Sequence, residues 1–126
     1  MVVKKFSEEA THPARALQAW QILISTAMNR QTHTYKTLFQ SMYEKPAQGV
    51  LAHILGHIAY FCNKYDLPPL TVLVVNEKTG LPDEGILFDG DLQSIREKVY
   101  AFNWYDVYPP SENELKEIYV EQCKDH

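Results

Sequence analysis

Leu17, Trp20, Ile24, Ala27 and Met28 recur at steps of three and four residues, and this spacing predicts a helix with one apolar face. Pro13 suits its first turn, where a missing N–H costs nothing. Thr11 or His12 then lies outside it, and the polar run Asn29-Arg30-Gln31-Thr32 ends it. His33-Thr34-Tyr35 is short and β-prone. Thr34 is also placed to cap a second helix, Lys36 to Glu44, its hydroxyl accepting a free backbone N–H. That helix buries Leu38, Phe39 and Met42 and breaks at Pro46. The third helix, Ala47 to Tyr65, has the plainest pattern. Leu51, Ile54, Leu55, Ile58, Cys62 and Tyr65 fall on one side; Ala52, His53, Gly56, His57, Tyr60, Asn63 and Lys64 fall on the other.

Beyond it the period changes. Leu67-Pro68-Pro69 is extended, because a residue before proline is pushed out of the helical region. Leu70 to Val75 contains almost no polar residue and predicts a strand covered on both faces. Asn76 to Gly80 is a turn with Gly80 at positive φ, and Ile86 to Phe88 is a second strand that closes a hairpin. Asp89-Gly90-Asp91 caps a helix carrying Leu92, Ile95, Val99 and Phe102. Ser111 followed by Glu114 matches a capping box for a last helix that buries Leu115, Ile118 and Tyr119. Leu51, Leu55, Ile58, Leu73 and Val75 are expected to share one core with Leu17 and Ile24. The fold class is α+β, with a winged-helix-like helical core and a β-hairpin at residues 34–85. Helices flank it on both sides, and residues 1–126 form a single domain.

Charge redirects the functional reading. The chain carries 12 Lys/Arg and 16 Asp/Glu, a net charge of −4. Residues 106–126 hold six acids and two lysines, so 16 − 6 and 12 − 2 leave ten of each sign in residues 1–105. The imbalance therefore belongs to an acidic C-terminal helix. A basic nucleic-acid footprint is absent overall, although Arg30, Lys36, Lys45 and Lys64 outnumber Glu44 and Asp66 between residues 30 and 66. No apolar run approaches the ~20 residues of a membrane span, and MVVKKFSEEATHP has no apolar h-region. Cys62 and Cys123 lie far apart and make no disulfide framework. The expectation is a cytoplasmic protein with no membrane partner and no cofactor.

Residues 34–85 resemble the winged-helix domain of the alkylguanine-DNA alkyltransferases and the alkyltransferase-like proteins. The pieces that carry the resemblance are Thr34-Tyr35-Lys36, Ala52-His53-Ile54-Leu55-Gly56, Asn63, and Leu70-Thr71-Val72-Leu73-Val74-Val75-Asn76. The interval from Asn63 to Thr71 keeps the family spacing, and that from Gly56 to Asn63 is one residue longer. The resemblance implies a related shape without alkyl transfer; it leaves DNA binding open but loses the residues that would argue for it. The family's alkyl-accepting cysteine falls at Thr71, its histidine at Val72, its arginine at Leu73, and its DNA-penetrating arginine at His53. Both the thiolate and its activating base are missing. The phrase Leu70–Pro82 with its preceding prolines also resembles small proteins of mobile elements.

Gly56 is the most pointed single residue, since a helix-interior glycine costs about 1 kcal/mol relative to alanine. With Ala52 it forms a smooth strip for close approach by DNA, a second subunit or another helix of the same chain. His53 and His57 have the i, i+4 spacing that can place two imidazoles on one metal. They lack the adjacent glutamate of a zinc protease, and a third ligand would have to come from His33 or Asp66. The bland reading is two partly exposed polar side chains. Asp83-Glu84 and Asp89-Asp91 sit at turns and caps, where carboxylates have structural work. Tyr100, Phe102, Trp104, Tyr105, Tyr108 and Tyr119 form either a satellite core or a protein-binding patch. Together these features predict a non-catalytic binding module, not an enzyme. It would associate with nucleic acid through the 47–65 helix and the 76–85 hairpin, using His53, Gly56, His57, Tyr60, Asn63, Lys64 and Lys78. The alternative is a protein-interaction or self-association module forming a homodimer or binding a protein partner, and the distant third is a metal-dependent enzyme.

Overall fold

A computed structural model describes residues 2–7, 10–43, 50–82 and 90–124. Helix α1 runs His12–Met28, capped by the Thr11 hydroxyl, which accepts the Ala14 N–H. It stops in a Schellman motif. Gln31 N–H donates to the Thr26 carbonyl and Arg30 N–H to the Ala27 carbonyl, with Arg30 at φ 54°. Strand β1 is His33–Thr34. Helix α2, Tyr35–Met42, starts in the capping box that Thr34 makes with Thr37 and buries Leu38, Phe39 and Met42. It ends two residues before Glu44; Pro46 lies outside the described residues. Helix α3, Leu51–Lys64, has Val50 before it and no side-chain cap, and the predicted start at Ala47 falls outside the described residues. It too closes in a Schellman motif, with Asp66 at φ 55°.

The predicted strand over Leu70–Val75 is corrected. Leu70–Leu73 form a turn of 3-10 helix, and only Val74–Val75 (β2) are extended. Strand β2 pairs in parallel with β1, His33 opposite Val74 and Thr34 opposite Val75. The physical reason is supply of partners. β1 offers a ladder two residues long, so the preceding buried backbone must satisfy itself locally, as where Val72 N–H donates to the Pro69 carbonyl. A short apolar run cannot show this difference in its periodicity. The hairpin partner expected at Ile86–Phe88 lies outside the described residues. The Asn76–Gly80 turn is present: Gly80 N–H reaches the Asn76 carbonyl, and Gly80 has φ 70°. Helix α4, Leu92–Ala101, is capped by the Asp91 carboxylate, which accepts the Ser94 N–H. Helix α5, Glu112–Lys124, follows; Ser111 accepts the Glu114 N–H, while the Glu114 carboxylate turns away to accept the Tyr65 hydroxyl.

The described chain is thus mostly helical with a small two-stranded parallel sheet, α+β in the coarse sense. Helix α1 is the axis of packing and touches α2, α3, α4 and α5. Leu51, Leu55, Ile58 and Leu73 are buried in one core, against which Leu17 and Ile24 pack; Val75 is buried outside that cluster. Trp20 meets Phe61 and Trp104 edge to face at 5.3 and 5.8 Å. Trp104, expected in a satellite cluster or a surface patch, belongs to the main core, and its indole N–H donates to the Val99 carbonyl. Among the described residues no helix is long and apolar enough to cross a membrane.

Candidate functional site

The face of α3 opposite the core is where the sequence placed the binding residues. Helix α5 lies on part of it. A Cβ built at Gly56 would stand 3.2 Å from Tyr119 Cε2, so the missing side chain admits the α5 ring. Of the three objects that the sequence left open for Gly56, the one that approaches is a helix of the same chain. His57, expected beside it as a surface residue, is 4 % exposed. Its ring stacks on Tyr119 at 3.9 Å and 3°, and its Nδ1 lies 2.7 Å from the His53 carbonyl, which makes Nδ1 the protonated nitrogen. Tyr60 is half-buried and tilts against the same tyrosine at 5.7 Å.

His53, Asn63 and Lys64 stay exposed. The His53 ring stacks on His12 from α1 at 5.6 Å and 9°. Lys64 Nζ sits 3.3 Å from the Glu121 carboxylate of α5. Lys78 is exposed in the turn after β2, its N–H donating to Asn76 Oδ1. That turn is tied to α4 by Arg96, which donates to the Gly80 carbonyl. So His53, Gly56, His57 and Tyr60 come together with His12 and Tyr119, while Lys78 belongs to another part of the surface. His12 did not stand out in the sequence as a site residue, and Tyr119 stood out only within the C-terminal aromatic group, not beside α3. Local spacing exposed the His53–His57 pair; nothing local joins it to residues 41 and 62 positions away.

Burial lowers the proton affinity of His57 most, the His53 carbonyl opposes that, and positive charge on His12 or His53 lowers it further. His33, offered as a third metal ligand, has Nδ1 2.8 Å from the Thr37 hydroxyl, and burial lowers its proton affinity also. Asp66 is exposed beyond the end of α3. Among the described residues no group of three or more His, Cys, Asp or Glu is arranged to hold a metal. Asp91 acts as a helix cap, and Asp83, Glu84 and Asp89 lie outside the described residues.

Thr71, where the alkyl-accepting cysteine of the resemblance falls, is fully buried in the 3-10 turn, its hydroxyl oxygen without a partner among the described residues. Cys62 is buried, and desolvation pushes its thiol up to about 12, so the thiolate is scarce at neutral pH.

A second surface lies between α4 and α5. Trp104 and Pro110 are buried, and between them Tyr105 and Tyr108 stand 60 % and 93 % exposed. Residues 104–115 include Asp106, Glu112 and Glu114 and no basic residue. Comparison with family models, curated proteins and solved structures gives no match.

Proposed function

We propose that this chain is a non-catalytic protein-interaction module that self-associates through the tyrosine segment at residues 104–110. The observation that carries the reading is a pair of exposed tyrosines on a backbone anchored at both ends. Trp104 and Pro110 fix the segment in the fold, so little ordering entropy remains to be lost on binding. Tyr105 and Tyr108 supply the rigid, amphipathic area that interface anchors favour. The complement is carried by the same chain. Residues 2–7 expose Val2, Val3 and Phe6 around Lys4 and Lys5, apolar and basic where the tyrosine segment is apolar and acidic. Arg15 holds that segment near the start of α1, donating to the Ser7 carbonyl at 2.7 Å. Thr11, also at the start of α1, donates to Glu112. The N-terminal segment and the residues that follow the tyrosine segment are thus both tied to the start of α1, and two copies of the chain can exchange the contact reciprocally.

The succession β1, α2, α3 is the part of a winged-helix order found in the described residues, and it supports a nucleic-acid reading in second place. The charge arrangement speaks for the first reading. Acidic α5 covers part of the α3 face that would meet phosphate, and Lys64 is engaged by Glu121.

Sedimentation equilibrium over a concentration series tests the proposal. The wild-type chain should dimerise. Tyr105→Ser/Tyr108→Ser should weaken the dimer by about 2 kcal/mol or more, roughly thirtyfold in dissociation constant. Lys4→Glu/Lys5→Glu should weaken it as well. A wild-type chain that stays monomeric yet shifts duplex DNA at low salt would replace this reading with the nucleic-acid one. A monomer that binds no DNA would remove both.

A further inference from the structure

Three imidazoles meet where α1, α3 and α5 join. His12 comes from the first turn of α1, and His53 and His57 from successive turns of α3. The His12 and His53 rings stack, the His57 Nδ1–H is held by the His53 carbonyl, and His57 lies flat beneath Tyr119 of α5. We infer that this cluster is an acid-sensitive latch: protonation of His57 releases α5 from α3 while the α1–α3 core stays folded.

The argument starts from the contact itself. Helix α5 buries Leu115 and Ile118 in the core, and beside them Tyr119 fills the notch at Gly56 and covers His57 and Tyr60. Among the described residues, the groups facing His57 are His53 from its own helix, His12 from α1 and Tyr119 from α5. Farther along the α1–α5 seam lie Glu112, which accepts the Thr11 hydroxyl, and Lys116. With α5 docked, a proton on His57 is buried and faces His12 and His53, which repel it when they are themselves charged. With α5 undocked, water reaches the ring and solvates the cation. The docked state thus binds protons less readily than the undocked one. Linkage then fixes the sign. Docking is favoured above the ordinary histidine value of about 6.5 and is weakened as pH falls through it.

Leu115 and Ile118 hold α5 at any pH, so the pH-dependent part of its docking rests on the cluster at His57. The bond from Tyr65 to Glu114 and the Lys64–Glu121 pair lie at the surface, where such contacts contribute little. Release uncovers Gly56, His57 and Tyr60, the strip of α3 whose sequence suggested a docking face. The latch does not depend on the tyrosine segment, and its test is independent of dimerisation.

Hydrogen exchange of the full chain at about pH 7.5 and about pH 5, corrected for intrinsic exchange rates, reads the latch directly. In the wild type, protection should be lost across residues 112–124 at the lower pH and retained in α1 and α3. His57→Phe keeps a flat ring under Tyr119 without a titrating nitrogen. His57→Asn keeps a donor for the His53 carbonyl. In both variants the α5 response to pH should disappear, whatever the baseline protection. A wild type with equal α5 protection at the two pH values overturns the inference. So does a loss spread evenly over α1, α3 and α5, which is acid unfolding, or a response that survives in both variants.

Discussion

At Gly56 an absent side chain decides how two helices meet. The ring of Tyr119 sits where a Cβ would press it at 3.2 Å, closer than an ordinary van der Waals contact. Two effects then compete on substitution. Alanine gains about 1 kcal/mol of helix propensity and gives up a similar amount in that contact, so Gly56→Ala should leave stability nearly unchanged. Leucine brings a branched side chain that the ring cannot yield to, and Gly56→Leu should cost about 1–3 kcal/mol through overpacking. Urea denaturation of the three proteins checks this. A neutral Gly56→Leu would mean that α5 is not held against this strip. The sequence showed that something approaches Gly56 closely, because a helix-interior glycine wants a reason. It did not show what approaches, since Tyr119 lies 63 positions away and enters only through the tertiary fold.

Helix ends were legible in local chemistry, and α3 shows where that legibility stops. Thr34, Asp91 and Ser111 cap as their side chains dictate, because the oxygen and the N–H it accepts are three residues apart in the chain. The end of α3 is held in the left-handed region by Asp66, at φ 55°, where glycine is the residue without a steric penalty. Asp66 also places a negative charge beside the negative end of the helix dipole. Asp66→Gly should therefore raise stability by about 1 kcal/mol, read as a higher denaturation midpoint with an unchanged slope. A lower midpoint would show that the aspartate contributes more than its backbone costs. The stretch Leu70–Val75 is the converse case. Its hydrophobicity announced complete burial, which is what the fold gives it. Its conformation depended on the length of β1, which no property of the stretch itself encodes.

Across the whole molecule, the chemistry of the resembling family is closed off by burial as well as by substitution. Thr71 and Cys62 both lie in the core, and the Cys62 thiol is pushed up to about 12. Incubation with alkylated-guanine DNA should leave the protein mass unchanged, and iodoacetamide should label Cys62 only as fast as the chain unfolds. Peptide mapping separates that label from any on Cys123; rapid labelling of Cys62 in the native protein would contradict its burial. The sequence by itself determined the helical segments in outline, the caps at Thr34, Asp91 and Ser111, and most of the aliphatic side chains that leave water. Each of these follows from contacts a few positions apart or from transfer free energy. Only the tertiary structure decided that β1 and β2 run parallel, that Trp104 joins the main core and that α5 covers His57. It also brought His12 to His53. Those outcomes depend on distant segments competing for the same few faces, and a one-dimensional pattern carries the appetite of each face without naming its partner.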